Sequence, residues 1–449
     1  MRGLIKYFLI IFFIANASSQ DKLFTIIDPD QTGIHFSNDL IDTKENNVFL
    51  YANFYGGAGV GVGDFDNDGL DDLFFAGNLV DDKIYKNLGN LKFQDKTPNS
   101  GIINDSSWST GVTVADVNND GLLDIYVSCE LYDDQPKLRT NKLYINKGNF
   151  EFDELAAKWN VDVDRRTRHA VFFDYNKDGL LDLYLLNHPP NTGNFSPFLG
   201  TDMKLPEYNL QLFENKEGFF EDVTAKAGLD RSGFPNAAVI GDFNKDGWPD
   251  IYVANDFEAP DFLYYNNQDG TFDYKTESSL RHTSFYSMGV DAADINNDSH
   301  LDLMVLDMTA EDNFRLKSNM SGMNPDSFWK VVNDGGHYQY MFNTLQLNNG
   351  NETFSDIAQF TQTAATDWSW ASLVADFDND GNKDIYITNG LLRDIRNTDA
   401  DKKISDLVSK TFNKYIIENP NNSNVNIWDV IDLQELLNFL PSQKLKNYF

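Results

Sequence analysis

Asp64, Asp66, Asp68 and Asp72 stand at the first, third, fifth and ninth positions of the run DFDNDGLDD, and Gly69 stands sixth. Oxygen ligands alone, at alternate positions of a short loop, suit a hard cation. Calcium takes roughly six to eight oxygens at about 2.3–2.6 Å, and a glycine in sixth place lets the chain turn tightly enough for them to converge. The device recurs five more times: at Asp116, Asn118, Asp120 and Asp124; at Asp174, Asn176, Asp178 and Asp182; at Asp242, Asn244, Asp246 and Asp250; at Asp294, Asn296, Asp298 and Asp302; and at Asp376, Asp378, Asp380 and Asp384. The seventh residue of such a loop offers its backbone carbonyl, so Leu70, Leu122, Leu180, Trp248, His300 and Asn382 need no particular side chain.

The main competitor is the EF-hand, which needs a bidentate Glu in twelfth place and a helix on either side. Here the twelfth residues are Phe75, Val127, Leu185, Val253, Val305 and Ile387, all apolar and all in strand-like runs. A nine-residue loop between two strands remains. Asp, Asn and Gly also populate ordinary turns, but turn chemistry does not require an Asp in ninth place, and six such loops point to calcium. Ser299 replaces the glycine of the fifth loop and fits a left-handed turn less well. The ligand positions hold 20 carboxylates, and six calcium ions would move the formal charge from -33 to -21. Carboxylates gathered without metal repel one another, so chelation is expected to loosen the fold.

Strands must hold these loops. GGAGVGVG leads into the first, with Val60 and Val62 alternating with glycine as in a tightly packed inner strand; LFFAGN leaves it, and KIYKNLGNLKFQDKT reads as a hairpin turning near 87–90. The second unit repeats this grammar with STGVTVADVNNDGLLDIYVS and NKLYINKGNFEFDE, and the later units follow. Loop starts are 52, 58, 68, 52 and 82 residues apart. That period and four short strands per unit describe a propeller blade. The predicted fold is all-β, a propeller of four-stranded blades over residues 20–392, with six units visible and seven blades possible. The widest spacing carries an insertion at 307–340, expected to project from one face. Residues 393–440 read as a helical insertion or extension, with amphipathic helices at 399–418 and 427–440. Residues 441–449 end in KLKNYF, like the opening of another hairpin. Two explanations stand: the N-terminal FTIIDPDQTGI, which resembles FQDKTPNSGI at 93–102, supplies the missing outer strand, or further repeats follow in a longer protein.

Arg2 and Lys6, then an apolar run and Ala17, Ser18 and Ser19, predict a secretory signal peptide over 1–19, so a secreted, periplasmic or cell-surface protein. No later apolar run is long enough to span a membrane. The single cysteine, Cys129, forms no intramolecular disulfide, which leaves packing and metal as the sources of stability. A charge of -33 argues against nucleic acid and anionic membrane as main partners.

The GVGDFDNDGLDDLFFAGN pattern followed by KLYxNxGxF resembles the FG-GAP/VCBS repeats of integrin alpha-subunit propellers, and most closely the cartilage-acidic-protein-like family of secreted Bacteroidetes proteins. The resemblance covers roughly 23–392. It implies a calcium-stabilised β-propeller, seven-bladed in integrins, acting outside the cell in adhesion or ligand binding.

Propellers also host enzymes. The six histidines show no close metal pairing, and the sequence carries no GxSxG, P-loop or sialidase-type Asp box. A non-enzymatic scaffold for an extracellular protein or glycan is the expectation; the alternative is an accessory protein that binds or processes polysaccharide. Trp329, His337, Tyr338 and Tyr340 in the insertion, and Trp368 and Trp370 before the sixth loop, could form an aromatic surface, with core packing the competing role for the last two.

Overall fold

The computed structural model describes residues 24–51, 53–132, 134–189, 204–257, 259–319, 323–420 and 425–449. The expected signal peptide lies outside them. Each repeat unit is an antiparallel sheet whose strands bond in chain order. The first holds β1 (Val60–Gly63), β2 (Asp72–Phe75), β3 (Lys83–Asn87) and β4 (Phe93–Asp95); the second holds β5 (Trp108–Ala115), β6 (Asp124–Glu130), β7 (Lys142–Asn146) and β8 (Phe152–Glu154). The third has β9 (Arg166–Phe173), β10 (Asp182–His188), β11 (Gln211–Asn215) and β12 (Phe220–Asp222), and the fourth β13 (Pro235–Gly241), β14 (Asp250–Asn255), β15 (Phe262–Asn266) and β16 (Phe272–Tyr274). A short parallel pair, β17 (Thr283–Ser284) with β20 (Gln339–Tyr340), flanks the fifth, built from β18 (Gly289–Ala293), β19 (Asp302–Leu306), β21 (Thr344–Asn348) and β22 (Phe354–Asp356). The sixth has β23 (Ser369–Ala375) and β24 (Asp384–Asn389).

The first strands of successive sheets pack on one another in order, β1 on β5, β5 on β9, and so on to β23. This is the blade arrangement of a propeller. Second strands lie between neighbouring blades, which is why β6, β10, β14 and β19 are buried along their whole length and read as nearly unbroken apolar runs. Glycine permits the closest approach: a Cβ on Gly61 would meet Val112 Cγ1 at 2.7 Å, and one on Gly63 would meet Leu123 Cδ1 at 2.7 Å.

The short helices α1 (Pro29–Thr32), α2 (Thr224–Ala227), α3 (Thr276–Ser279), α4 (Asn313–Ser318), α5 (Pro325–Asn333) and α6 (Ala358–Thr361) lie between strands or ahead of them. The long helix α7 (Thr398–Glu418) matches the expectation for 399–418. The helix expected over 427–440 is instead a 3-10 turn, Ile427–Asp429, and a short α8 (Leu433–Leu437). Asp432 breaks the run by capping α8, its carboxylate accepting from the Gln434 N–H. This C-terminal region shares a core with residues 48–51 and 53–55: Tyr51, Phe54 and Trp108 pack with Trp428, Ile431 and Leu436.

The first and sixth blades meet through the N-terminal segment. The alternation in FTIIDPDQTGI suggests a strand, but residues 24–28 form none; Phe24 makes ring contacts with Phe377, Tyr386 and Phe449 at 5.9, 5.4 and 5.4 Å. The expected turn is present as α1, capped by Asp28 and by left-handed Gly33. Gly33 lies against Phe93 O as Gly101 lies against Phe152 O, so the segment stands to blade one as the tail of blade one stands to blade two. Tyr448 pairs with Ile387 of β24, and Asn447 Oδ1 accepts from the Asn389 N–H. Asp82, Asn141, Asp261 and Asn343 do the same for the corresponding amides of four other blades, which places residues 447–448 where third strands open. Along the seam the inner strands stay open, with Val60, Val62 and Leu373 at least half exposed.

Candidate metal centres

Each acidic loop joins the end of a first strand to the start of a second, so all six emerge on one face of the ring. Within a loop the first Asp is fixed by two backbone donors: Asp64 accepts from the Asp68 and Gly69 N–H groups at 3.0 and 2.7 Å. Asp116, Asp174, Asp242, Asp294 and Asp376 repeat the pair. The fifth residue accepts from the seventh N–H, as in Leu70 to Asp68 at 3.0 Å and Trp248 to Asp246 at 2.8 Å. The sixth residue has φ between 71° and 90°, Ser299 included. For Gly69 and Gly121 nothing would touch an added Cβ, so backbone conformation and not space favours glycine there. Ser299 accepts that conformation, and its N–H still bonds to Asp294 at 2.7 Å.

The ninth Asp points into the blade. Asp72 Oδ2 accepts from the Phe65 N–H at 2.9 Å and Oδ1 from the Asn87 N–H at 2.7 Å. Burial pushes the carboxyls of Asp124, Asp182 and Asp250 up to about 7; their two N–H bonds oppose the rise and the neighbouring loop aspartates add to it. Burial raises Asp72 and Asp302 in the same direction.

Carboxylate oxygens of Asp64, Asp66 and Asp72 come within 4.8 Å of one another, as do those of Asp376, Asp378 and Asp380. Asp66 Oδ1 is buried and has no hydrogen-bond partner among the described residues. The fifth-place Asp accepts from a side-chain N–H donor in every loop. In the first, Lys86 Nζ contacts Asp66 and stands 2.7 Å from Asp68; in the next four, the third-place Asn donates, as from Asn118 Nδ2 to Asp120 at 2.9 Å. In the sixth, Asn382 Nδ2 donates to Asp380 at 3.0 Å. This donor set, all oxygen and largely anionic, fits a hard divalent cation.

The asparagine closing each third strand is a structural residue that the ligand spacing does not reveal. Asn146 Nδ2 donates to Leu123 O of its own blade and to Phe65 O of the preceding loop, at 3.0 and 2.9 Å. Asn215, Asn266 and Asn348 likewise reach Val117, Tyr175 and Phe243 in the loops before theirs. Each of these residues also donates its backbone N–H to the ninth Asp of its own loop. One residue therefore ties a loop to its hairpin and to the loop of the preceding blade. The signal was present in the recurrent asparagine of KLYxNxGxF.

The aromatic candidates divide. Trp329 and Tyr338 are 53% and 41% exposed, whereas His337 is buried, and Tyr340 stacks on Phe342 at 5.9 Å. Trp368 is 3% exposed and packs with Met288 and Met308, and half-buried Trp370 joins that cluster.

Loops and blades of this kind define a class. Residues 64–127, 242–305 and 328–387 match the family model of the FG-GAP-like repeat, so the chain carries FG-GAP-like repeats on the blades of a β-propeller. It is similar to Cartilage acidic protein 1 of Xenopus tropicalis, 25% identical over 348 residues, covering 74% of this chain and 48% of that protein. The chain thus spans about half the length of the curated relative it matches. Among solved structures it is similar to an Agrocybe aegerita lectin described as recognising non-reducing terminal N-acetylglucosamine, with TM-score 0.41, 16% identity and 73% of each chain covered. It is also similar to the V. cholerae biofilm matrix protein Bap1, with TM-score 0.34, 17% identity and 62% and 34% coverage of this chain and that one.

Proposed function

We propose that this protein is an extracellular, non-enzymatic ligand-binding scaffold whose blades are clipped by calcium on one face. The observation that carries the reading is the repetition of one backbone cradle in six loops, each holding its first and fifth side chains in place before any ion arrives. First, third, fifth and ninth side-chain oxygens with a seventh carbonyl would hold calcium. The ion would offset the mutual repulsion of the carboxylates and add its binding free energy to that of folding. The expected signal peptide agrees with an exported scaffold, and no helix among the described residues is long and apolar enough to cross a membrane. Thermal melting tests the reading: excess chelator lowers the melting temperature and added calcium restores it. An unchanged melting curve in chelator would remove the calcium clip from the account.

A further inference from the structure

The buried ninth-place aspartates are joined from blade to blade. Asp72 Oδ2 accepts from the Phe65 N–H, Phe65 O accepts from Asn146 Nδ2, and the Asn146 N–H donates to Asp124 Oδ1 at 2.8 Å. Asp124 Oδ2 then accepts from the Val117 N–H, Val117 O from Asn215 Nδ2, and the Asn215 N–H donates to Asp182. The pattern continues through Tyr175 and Asn266 to Asp250, and through Phe243 and Asn348 to Asp302. An unbroken line of hydrogen bonds therefore runs through one ligand position in each of five consecutive loops. Phe65, Val117, Tyr175 and Phe243, which carry it, are at most 2% exposed, so their N–H and C=O groups have no water to turn to if a bond breaks. Fourth-place residues add a second link at the surface: Asn67 Nδ2 donates to Gly121 O at 2.9 Å, Asn119 Nδ2 to Gly179 O at 3.3 Å, and Lys177 Nζ lies 4.7 Å from the centre of the Trp248 ring. Asp384 of the sixth loop accepts from the Phe377 N–H, but among the described residues no asparagine joins it to the fifth loop.

From this we infer that the first five loops take calcium cooperatively while the sixth takes it alone, an inference that rests on the calcium-clip reading above and adds how its sites are regulated. Without an ion the side chains of a loop repel one another, and ordering them is a cost that binding must meet. Once Asp72 is held, the Phe65 carbonyl is held with it, and so are the Asn146 amide and the backbone N–H that aims Asp124. The second loop is then partly ordered before its own ion arrives. Coupling between sites is reciprocal, so a loop that empties loosens both of its neighbours. A link made of one hydrogen bond tightens the next loop about fivefold. Charge works the other way, because each bound ion weakens the negative potential that draws the next. Salt screens that opposition over about 8 Å at roughly 0.15 M, whereas bonds between buried groups are indifferent to it. The loop face of five blades therefore orders over a narrow range of calcium concentration, as one switch.

Amide exchange read by mass spectrometry on the metal-stripped full chain, at roughly 0.15 M salt and stepped free calcium, gives each loop its own titration. Loops two to five are expected to gain protection together with a Hill coefficient above one, and loop six with a Hill coefficient of one. Asn215→Ala keeps the backbone N–H on Asp182 but removes both side-chain donations, to Val117 O and Leu181 O. It should raise the calcium midpoints of loops two and three about fivefold and leave loop six unmoved. Asn87→Ala removes the matching bonds inside the first blade, where no second loop is reached, and should leave loops three to five unchanged. Asn119→Gly removes the exposed link from loop two to loop three at a residue whose φ is already 56°, and should lower the steepness of both. That variant keeps the proposal testable if Asn215→Ala does not fold. Hill coefficients of one throughout, or equal shifts of loop three in Asn215→Ala and Asn87→Ala, overturn the coupling and leave the clips standing. No calcium-dependent protection in any loop overturns the clips themselves, and the coupling with them.

Discussion

In the first loop a lysine from the neighbouring hairpin reaches the acidic side chains. Lys86 sets its ammonium against Asp66 and Asp68, where a cation would otherwise balance them, and these contacts hold the Asp68 carboxyl below its usual range. Calcium entering this loop must displace that ammonium, so it should be the last loop to fill. Lys86→Met is expected to tighten it, moving the weakest calcium step toward the rest in a calorimetric titration; an unchanged weakest step would show that the lysine does not compete. Asp242→Ala removes the acceptor of two loop amides and a ligand together. The expected result is one ion fewer per chain and a stability loss of about 1–2 kcal/mol, read from chemical denaturation.

Among the elements, the third strand with its terminal asparagine binds blade to blade. Asn146→Ala deletes two donated bonds and the acceptor of the Gly148 N–H, for an expected cost of about 2–3 kcal/mol. Asn87 bonds only within its own blade, to Asp71 O and the Gly89 N–H, so Asn87→Ala should cost less. Equal costs would mean that the interblade bond adds nothing. Asp261, which opens β15, is buried and accepts from Tyr252 Oη at 2.7 Å and the Asn255 N–H at 2.8 Å. Burial pushes its carboxyl up to about 7, so the folded state holds this proton more tightly than the unfolded state does. Its contribution to stability therefore falls as pH rises from about 4 to about 7. Other blades use Asn141 and Asn343 at this place. Asp261→Asn should keep the fold and flatten that part of the profile, seen as the difference between the two proteins at fixed calcium. Loops and hairpins were legible in the sequence because ligand spacing, turn residues and strand alternation are local. The broken 427–440 helix was not, because its apolar periodicity continues through Asp432 while the capping bond interrupts the helix.

At the scale of the molecule, closure depends on contacts between distant segments. Phe24 meets Phe377, Tyr386 and Phe449, and residues 48–51 and 53–55 share a core with the C-terminal helices. Neither contact has a sequence period, so only the likeness of FTIIDPDQTGI to FQDKTPNSGI hinted at the first and nothing hinted at the second. The ring is weakest where this patchwork replaces repeat packing. Among the described residues, β23 and β24 meet residues 447–448 on their outer side in place of a full third and fourth strand, and Leu373 is half exposed. Amide exchange should be faster in this pair than in β13 and β14, which belong to a complete sheet between two blades. Equal protection would show that the seam is as cooperative as the rest. Calorimetric titration of the metal-stripped full chain with calcium counts the clips. A stoichiometry near six is expected, matching the six loops; a stoichiometry of zero would rule the clips out.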